Sequence, residues 1–171
     1  MTSGFALRAR LVFREQRLIF DYWQNCANVR SMPARSDIDP CKMRDFLPQI
    51  SLIDISTSMG DATIRLAGSR LREVYGIELT GMRLEEVEWG EKRTYWRDVY
   101  NKILARGTPL AGSVSAPLKS REHLTLHWLR MPLSDDGVNV NKVLCHDIAV
   151  PHGTHPVNID AGRTHRLAAT G

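Results

Sequence analysis

Apolar residues recur with a helical period in two parts of the 171-residue chain. In 11–26 they fall about every 3.6 residues, which predicts one amphipathic helix. The more regular pattern is in 91–106, where apolar side chains line one face and Gly107 follows as a stop signal. Residues 1–10 lack such a pattern, so we expect a loose leader there.

Two shorter helices are predicted from the residues at their ends. Asp39 accepts hydrogen bonds from free backbone N–H groups, and Pro40 suits the first helical position, so a helix is expected to start here. Pro48 would limit it to about two turns. The other short helix is predicted over 69–75, ending at Gly76.

A period of two indicates strands on both sides of the long helix. Segments 50–56 and 62–67 predict a hairpin, and 110–118, 124–128 and 138–150 predict three further strands. This order indicates an α+β fold, with an antiparallel sheet and helices on one face. The first helix would then bury its apolar side against the other face of the sheet or against a second subunit.

Composition and charge fit one ordinary globular domain. The chain is 43% apolar and 25% charged, with a net charge of +4, which argues against disorder or a disulfide scaffold. The sequence has no run of about 18–20 apolar residues that could span a bilayer. Three irregularly spaced cysteines and no recognisable export signal lead us to expect a cytoplasmic protein.

Three sequence segments carry motifs that can be compared with known families. They are Tyr22-Trp23 with 32–40 (MPARSDIDP) and Leu47-Pro48, then 65–76 (RLAGSRLREVYG), and 78–81 (ELTG). Together they resemble a bacterial PAS-like family, first catalogued as a domain of unknown function and related to Per-Arnt-Sim (PAS) domains. The resemblance covers 19–150, leaving 1–18 as leader and start of the first helix, and 151–171 as a polar tail.

The resemblance implies a PAS-like fold and a regulatory role. The fold would be a five-stranded antiparallel sheet, with short helices and one long helix enclosing a small cavity on one face, plus the N-terminal amphipathic helix. The function implied is that of a stand-alone sensory module that binds a small ligand, a partner protein or both. Its output would pass through a partner or through oligomeric state, such as a homodimer.

Two alternatives remain open at this stage. The chain could be a pure protein–protein interaction module that dimerises and has a filled core. A lesser alternative is a nucleic-acid-binding accessory protein, because Arg8, Arg10, Arg14 and Arg17 could contact phosphates. Glu15 interrupts that cluster, and no nucleic-acid-binding motif is present.

Two groups of candidate site residues follow from the PAS-like fold. The ligand cavity would be lined by Leu66, Leu71, Tyr75, Trp96, Tyr100, Val114, Leu126 and Trp128, which would simply fill the core in the alternative without a cavity. The candidate interaction surface comprises Leu18, Ile19, Tyr22, Trp23, Arg35 and Asp37. Arg35 and Asp37 also fit a simpler role in local capping and ion pairing.

The sequence leaves the cofactor unknown and disfavours two common PAS chemistries. Flavin photosensors resemble one another in an Asn-Cys-Arg motif after the second strand, whereas 69–100 contains no cysteine here. Haem PAS sensors generally use a histidine on the long helix, and 91–106 contains none.

Catalysis and metal binding are also not expected. Cys145, His146 and Asp147 are adjacent, but neighbours on a strand point to opposite faces and could not form a dyad there. His123 and His127 would lie on one strand face, about 13 Å apart, too far for one metal ion. We therefore expect a protein that is not an enzyme and has no metal site.

Overall fold

A computed structural model describes residues 2–56, 59–116 and 119–154. Its centre is a five-stranded antiparallel sheet in the spatial order β2-β1-β5-β4-β3. The strands are β1 (Ile50–Asp54), β2 (Thr63–Ala67), β3 (Leu110–Ser115), β4 (Leu124–Leu133) and β5 (Lys142–Pro151). The predicted α+β fold with a five-stranded antiparallel sheet is confirmed, including the hairpin of β1 and β2. The predicted polar tail lies outside the described residues from position 155 onward.

The sheet is accompanied by helices close to those predicted. They are α1 (Thr2–Arg10), α2 (Arg14–Ala27), α3 (Ser69–Tyr75) and α4 (Arg93–Arg106), with a longer 3-10 segment at Pro40–Gln49 and short 3-10 turns at Arg35–Asp37, Met59–Asp61, Leu84–Glu86, Gly90–Lys92 and Lys119–Arg121. Asp39 caps the longer segment through the backbone N–H of Cys41, as its position before Pro40 predicts. None of the helices in the described residues has the length and apolar character that crossing a bilayer requires.

The two faces of the sheet carry separate apolar clusters. The inner face, as we name it, is covered by α3, α4 and the segment 84–89, around side chains such as Ile64, Leu126 and Cys145. The outer face packs against α2 through side chains such as Leu129 and Leu144. Both sides of β4 and β5 are therefore buried, and these two strands connect the two clusters.

Helix α2 buries its apolar side against the outer face of its own sheet. Ile19, Phe20 and Trp23 are buried there, and the Trp23 indole Nε1 donates a hydrogen bond to the carbonyl oxygen of Pro132, 2.9 Å away. The sequence left two surfaces for this helix, the sheet or a second subunit, and it is the sheet of the same chain that buries its apolar side.

Helix α1 replaces the loose leader expected over residues 1–10. Its sequence shows no helical pattern because, among the described side chains of α1, Leu7 alone packs against the outer cluster, and it is half-buried. Its position is fixed instead by a two-pronged ion pair, in which Arg8 Nε and Nη2 donate to Asp21 of α2 over 2.6 and 2.8 Å. Arg8 and Arg10 in the last turn also suit the negative end of the helix dipole.

The last strand starts later than predicted, at Lys142 rather than position 138. The chain before it forms a turn in which one carboxylate oxygen of Asp136 accepts hydrogen bonds from the backbone N–H groups of Val138 and Asn139. These bonds hold Val138 and Asn139 away from the sheet, so the alternation there does not produce a strand.

Candidate functional site

A buried ion pair lies at the centre of the inner face. Arg130 Nη1 of β4 donates to Asp147 Oδ1 of β5 over 2.8 Å, and each side chain is only 2% exposed. The register explains the meeting: Arg130 is opposite Cys145 and Asp147 is opposite Trp128, so the two charged residues are diagonal neighbours on one face. Two charges are costly to bury unless they are paired and hydrogen-bonded.

The Arg130 guanidinium has further partners besides Asp147. Its Nε donates to the hydroxyl of Tyr100 over 3.1 Å. The guanidinium carbon lies 4.9 Å from the ring centre of Trp96, 5.8 Å from that of Trp128 and 5.9 Å from that of Tyr100. The negative faces of aromatic rings attract a cation, so these rings replace part of the solvation that Arg130 loses.

Burial and charge together determine the protonation of this group. Burial raises the pKa of Asp147, and the charge and hydrogen bond of Arg130 counter that rise. Burial also raises the pKa of Tyr100 well above its usual value, so its phenol stays neutral. With a 2.8 Å charge-assisted hydrogen bond, we describe the pair as a guanidinium cation and a carboxylate.

Aromatic side chains fill the space between this ion pair and α4. Trp96 is at the centre, with ring centres 5.1 Å from Trp89, 5.4 Å from Trp128 and 6.2 Å from Tyr100. The Tyr75 ring is perpendicular to that of Trp89, with the ring centres 5.7 Å apart. The middle of the inner face is therefore packed with rings around one buried cation.

A solvent-open cleft of about 200 Å³ lies beside these rings, between α4 and the segment 84–89. We name it the α4 cleft. Its lining residues are Gly60, Leu84, Glu85, Trp89, Arg93, Trp96, Arg97 and Tyr100. The cleft thus combines an aromatic floor with charged side chains at its rim, and Tyr100 links it to the ion pair.

Most of the residues predicted to line a cavity do lie together on the inner face. Six of them are buried there: Leu71, Tyr75, Trp96, Tyr100, Leu126 and Trp128. Val114 is half-buried against the same cluster. Of the eight, Trp96 and Tyr100 line the α4 cleft.

Leu66 does not belong with the other seven. Leu66 pairs with Leu52, whose side chain packs toward the outer cluster, so Leu66 also faces the outer side of the sheet. Because β2 is an edge strand, Leu66 is left 47% exposed there. A register shift between Leu52 and Ile53 accompanies this change of face. Simple alternation from Ile64 could not reveal that the edge strand leaves Leu66 uncovered.

The candidate interaction surface is divided between buried and exposed positions. Ile19 and Trp23 are covered by the sheet of this chain, as described above. Tyr22 is half-buried, and its hydroxyl accepts a hydrogen bond from the backbone N–H of Asp39 over 2.8 Å. Leu18 remains 43% exposed. Only the last of these apolar side chains is largely accessible to a partner.

Arg35 and Asp37 have local structural partners. Arg35 Nη1 donates to the carbonyl oxygen of Ile38 over 2.9 Å. Asp37 accepts from the backbone N–H of Ala34 and from Arg30, both over 2.7 Å, and these bonds lower its pKa. Both side chains thus hold the connection between α2 and the following 3-10 segment.

The alternation predicted for Cys145, His146 and Asp147 is confirmed. Cys145 joins the inner cluster and Asp147 pairs with Arg130, whereas His146 is buried on the opposite face with its ring 6.3 Å from that of Phe46. Within the described residues, neither nitrogen of His146 has a hydrogen-bond partner. Burial, followed by the charge of Arg130, lowers the pKa of His146 to about 3.

His127 and His123 lie on different parts of the chain. His127 is on β4 with its ring 4.9 Å from that of Phe13, and burial lowers its pKa. His123 is in the turn before β4, not on the strand as expected. Within residues 2–56, 59–116 and 119–154, no cluster of three potential metal ligands is found.

The sequence interpretation missed Arg130 and six residues of the cleft lining, among them Trp89, Arg93 and Arg97. For Arg130 a signal was available, since Arg130 and Asp147 are charged residues in the interior of mostly apolar strands. A charge at such a position indicates a buried counter-charge nearby.

Comparisons with known proteins agree with this architecture. The Rhodobacter sphaeroides LOV protein is similar with a TM-score of 0.52 at 14% identity, over 76% of this chain and 79% of that one. A variant of the LOV protein RsLOV gives a TM-score of 0.50 at 16% identity, over 69% of each chain. The light-state LOV domain of the blue-light photoreceptor Aureochrome1 gives 0.50 at 10% identity, over 71% of this chain and 95% of that one.

At these identities the solved structures show a shared fold alone. A search of the curated proteins finds no match to the sequence. The evidence of family comes from a family model described as a PAS domain, which matches residues 13–145, well over half of the chain. The chain therefore belongs to the PAS domain family.

Proposed function

We propose that this PAS domain is a sensory module that binds a small molecule in the α4 cleft and transmits its occupancy to α2. One observation carries the proposal: Tyr100 lines the cleft, and its hydroxyl is hydrogen-bonded to Arg130 of the buried ion pair. A molecule that displaces Tyr100 therefore acts directly on a charged group at the centre of the sheet.

The ion pair supports transmission because of the strands that carry it. Arg130 and Asp147 lie on β4 and β5, whose opposite sides are buried against the outer cluster. Trp23 of α2 is hydrogen-bonded to Pro132 of β4, two residues beyond Arg130. A rearrangement of the pair would thus be felt by α2, and ligand binding would shift the balance between two arrangements of that helix.

The role that we propose is regulatory and not catalytic, in the cytoplasm. Cys145 and His146 point to opposite faces of the sheet, and Asp147 is engaged by Arg130, which supports a non-catalytic role for this group. Three free cysteines suit a reducing compartment.

Native mass spectrometry of gently purified protein tests the proposal. We expect a retained molecule that dissociates on denaturation. Hydrogen exchange of α2 should differ between the protein with and without that molecule. Tyr100→Phe should leave the molecule bound but reduce the difference at α2, since it removes the hydroxyl that contacts Arg130. Asn101→Ala, at an exposed position of the same helix outside the cleft lining, is the control. Two results would contradict the proposal: purified protein that carries no bound molecule, or hydrogen exchange in α2 that is the same with and without the bound molecule.

A second candidate is an interaction module that forms homodimers through its N-terminal helices. It is favoured by exposed apolar side chains there, Phe5 at 79% and Leu18 at 43%. The double variant Phe5→Ser and Leu18→Glu should convert a dimer to a monomer in light scattering, whereas Val29→Ser, at a residue 93% exposed beyond α2, should not. A wild-type monomer at high protein concentration would count against this candidate.

A further inference from the structure

We infer that the α4 cleft takes an anionic ligand, a flat apolar body that carries a carboxylate or a similar acidic group. The inference rests on the proposed function, because it names the class of ligand for the same cleft. The charges at the rim and the rings of the floor support it.

The rim carries two arginines of one helix. Arg93 and Arg97 are four residues apart on α4, so they lie on the same side of the helix, and both line the cleft. Arg93 Nη1 donates to the backbone carbonyl oxygen of Glu85 over 2.7 Å, which fixes that guanidinium at the cleft wall. Arg97 is exposed, and among the described residues it has no hydrogen bond or ion pair.

The one acidic residue in the described lining of the cleft is already engaged. The Glu85 carboxylate is 2.7 Å from Arg83 Nη2, a residue outside the lining. The lining therefore presents two guanidinium groups whose charge its own acid does not neutralise. Guanidinium groups bind carboxylate and phosphate oxygens through paired N–H donors, so an anion is the complementary ligand charge.

The floor determines what else such a ligand needs. Trp89 and Trp96 present rings whose centres are 5.1 Å apart, with Tyr100 beside them. Flat apolar groups pack favourably on such rings, and partly enclosed apolar walls strengthen the attraction between an acid and an arginine nearby. A small inorganic anion would leave this floor uncovered, so we assign the aromatic floor to the body of the ligand.

Two probes of equal shape separate charge from apolar contact: 2-naphthoate, which is an anion at neutral pH, and 2-naphthamide, which is uncharged. Isothermal titration calorimetry on the full chain should give tighter binding of 2-naphthoate, by about tenfold. Arg97→Gln should weaken 2-naphthoate binding by about three- to tenfold and leave 2-naphthamide binding unchanged. Arg97→Lys should keep part of the preference, because it retains the charge.

Arg106→Gln provides the matched control, since it removes the same charge from the exposed last turn of α4, outside the cleft lining. It should leave both affinities unchanged. Equal binding of the two probes, unaffected by Arg97→Gln, would overturn the anion inference while leaving a ligand-binding cleft intact. Binding of neither probe at millimolar concentration would overturn both the inference and the cleft as a ligand site. If Arg106→Gln weakened 2-naphthoate binding as much as Arg97→Gln does, the effect would come from the net charge of the protein, and the inference would also be overturned.

Discussion

Replacing His146 with leucine should stabilise the protein, and more strongly as the pH falls. His146 is fully buried on the outer face of β5, and its two ring nitrogens have no hydrogen-bond partner within the described residues. Leucine keeps a side chain of similar size among apolar neighbours and removes the buried polar atoms. Burial, together with the charge of Arg130, lowers the pKa of His146 to about 3 in the folded chain.

The expected magnitude has two parts. At pH 7.5 the gain comes from removing an unpaired polar group, which costs about 1–3 kcal/mol when buried. In acid a second part appears, because histidine in the unfolded chain takes up a proton near pH 6.5 and folded His146 does not. Below pH 6.5 the wild type thus loses about 1.4 kcal/mol per pH unit, and between pH 7.5 and 5.0 about 2 kcal/mol in total. This loss continues until the pH approaches the folded pKa.

Urea unfolding at several pH values between 7.5 and 5.0 measures both parts. The difference in unfolding free energy between His146→Leu and wild type should grow by about 2 kcal/mol over that range. His123→Gln is the control, since it removes an exposed histidine from the turn before β4 and should show no such growth. A difference that stays constant with pH would refute the argument, because His146 would then take up its proton equally in both states.

Three further substitutions test the packing of the fold. Asp147→Asn should lower the free energy of unfolding by about 3–5 kcal/mol because Arg130 stays buried without its counter-charge. In urea unfolding the double variant Arg130→Met with Asp147→Leu should be more stable than Asp147→Asn, and a double variant that is less stable would contradict the pairing. Trp23→Ser should lower the free energy of unfolding by about 3–5 kcal/mol, measured by thermal unfolding, because the ring is buried against the sheet. An unchanged free energy of unfolding would mean that this ring lies on the surface. Gly68→Ala should prevent folding, because the added Cβ atom would overlap the backbone carbonyl oxygen of Leu47. Circular dichroism measures this, and a native spectrum of the variant would contradict that close approach.

Much of the fold could be predicted because local signals determine where its elements end. Gly76 and Gly107 end α3 and α4 with positive φ angles of 75° and 58°, which glycine adopts without strain. Helix α1 could not be predicted in this way. It is held against α2 by the pairing of Arg8 with Asp21, a contact that exists only after α2 has formed.

The central ion pair is a different case, since part of it was accessible from sequence. Alternation assigns Leu124, Leu126, Trp128 and Arg130 to the inner side of β4, and Val143, Cys145, Asp147 and Ala149 to the inner side of β5. Each set contains one charged residue, and burying either alone would be very costly. A register shift of one residue would send one charge to the outer face, whereas a shift of two keeps both inside and can place them directly opposite. The requirement that the two charges meet therefore selects a small family of registers, which includes the observed one.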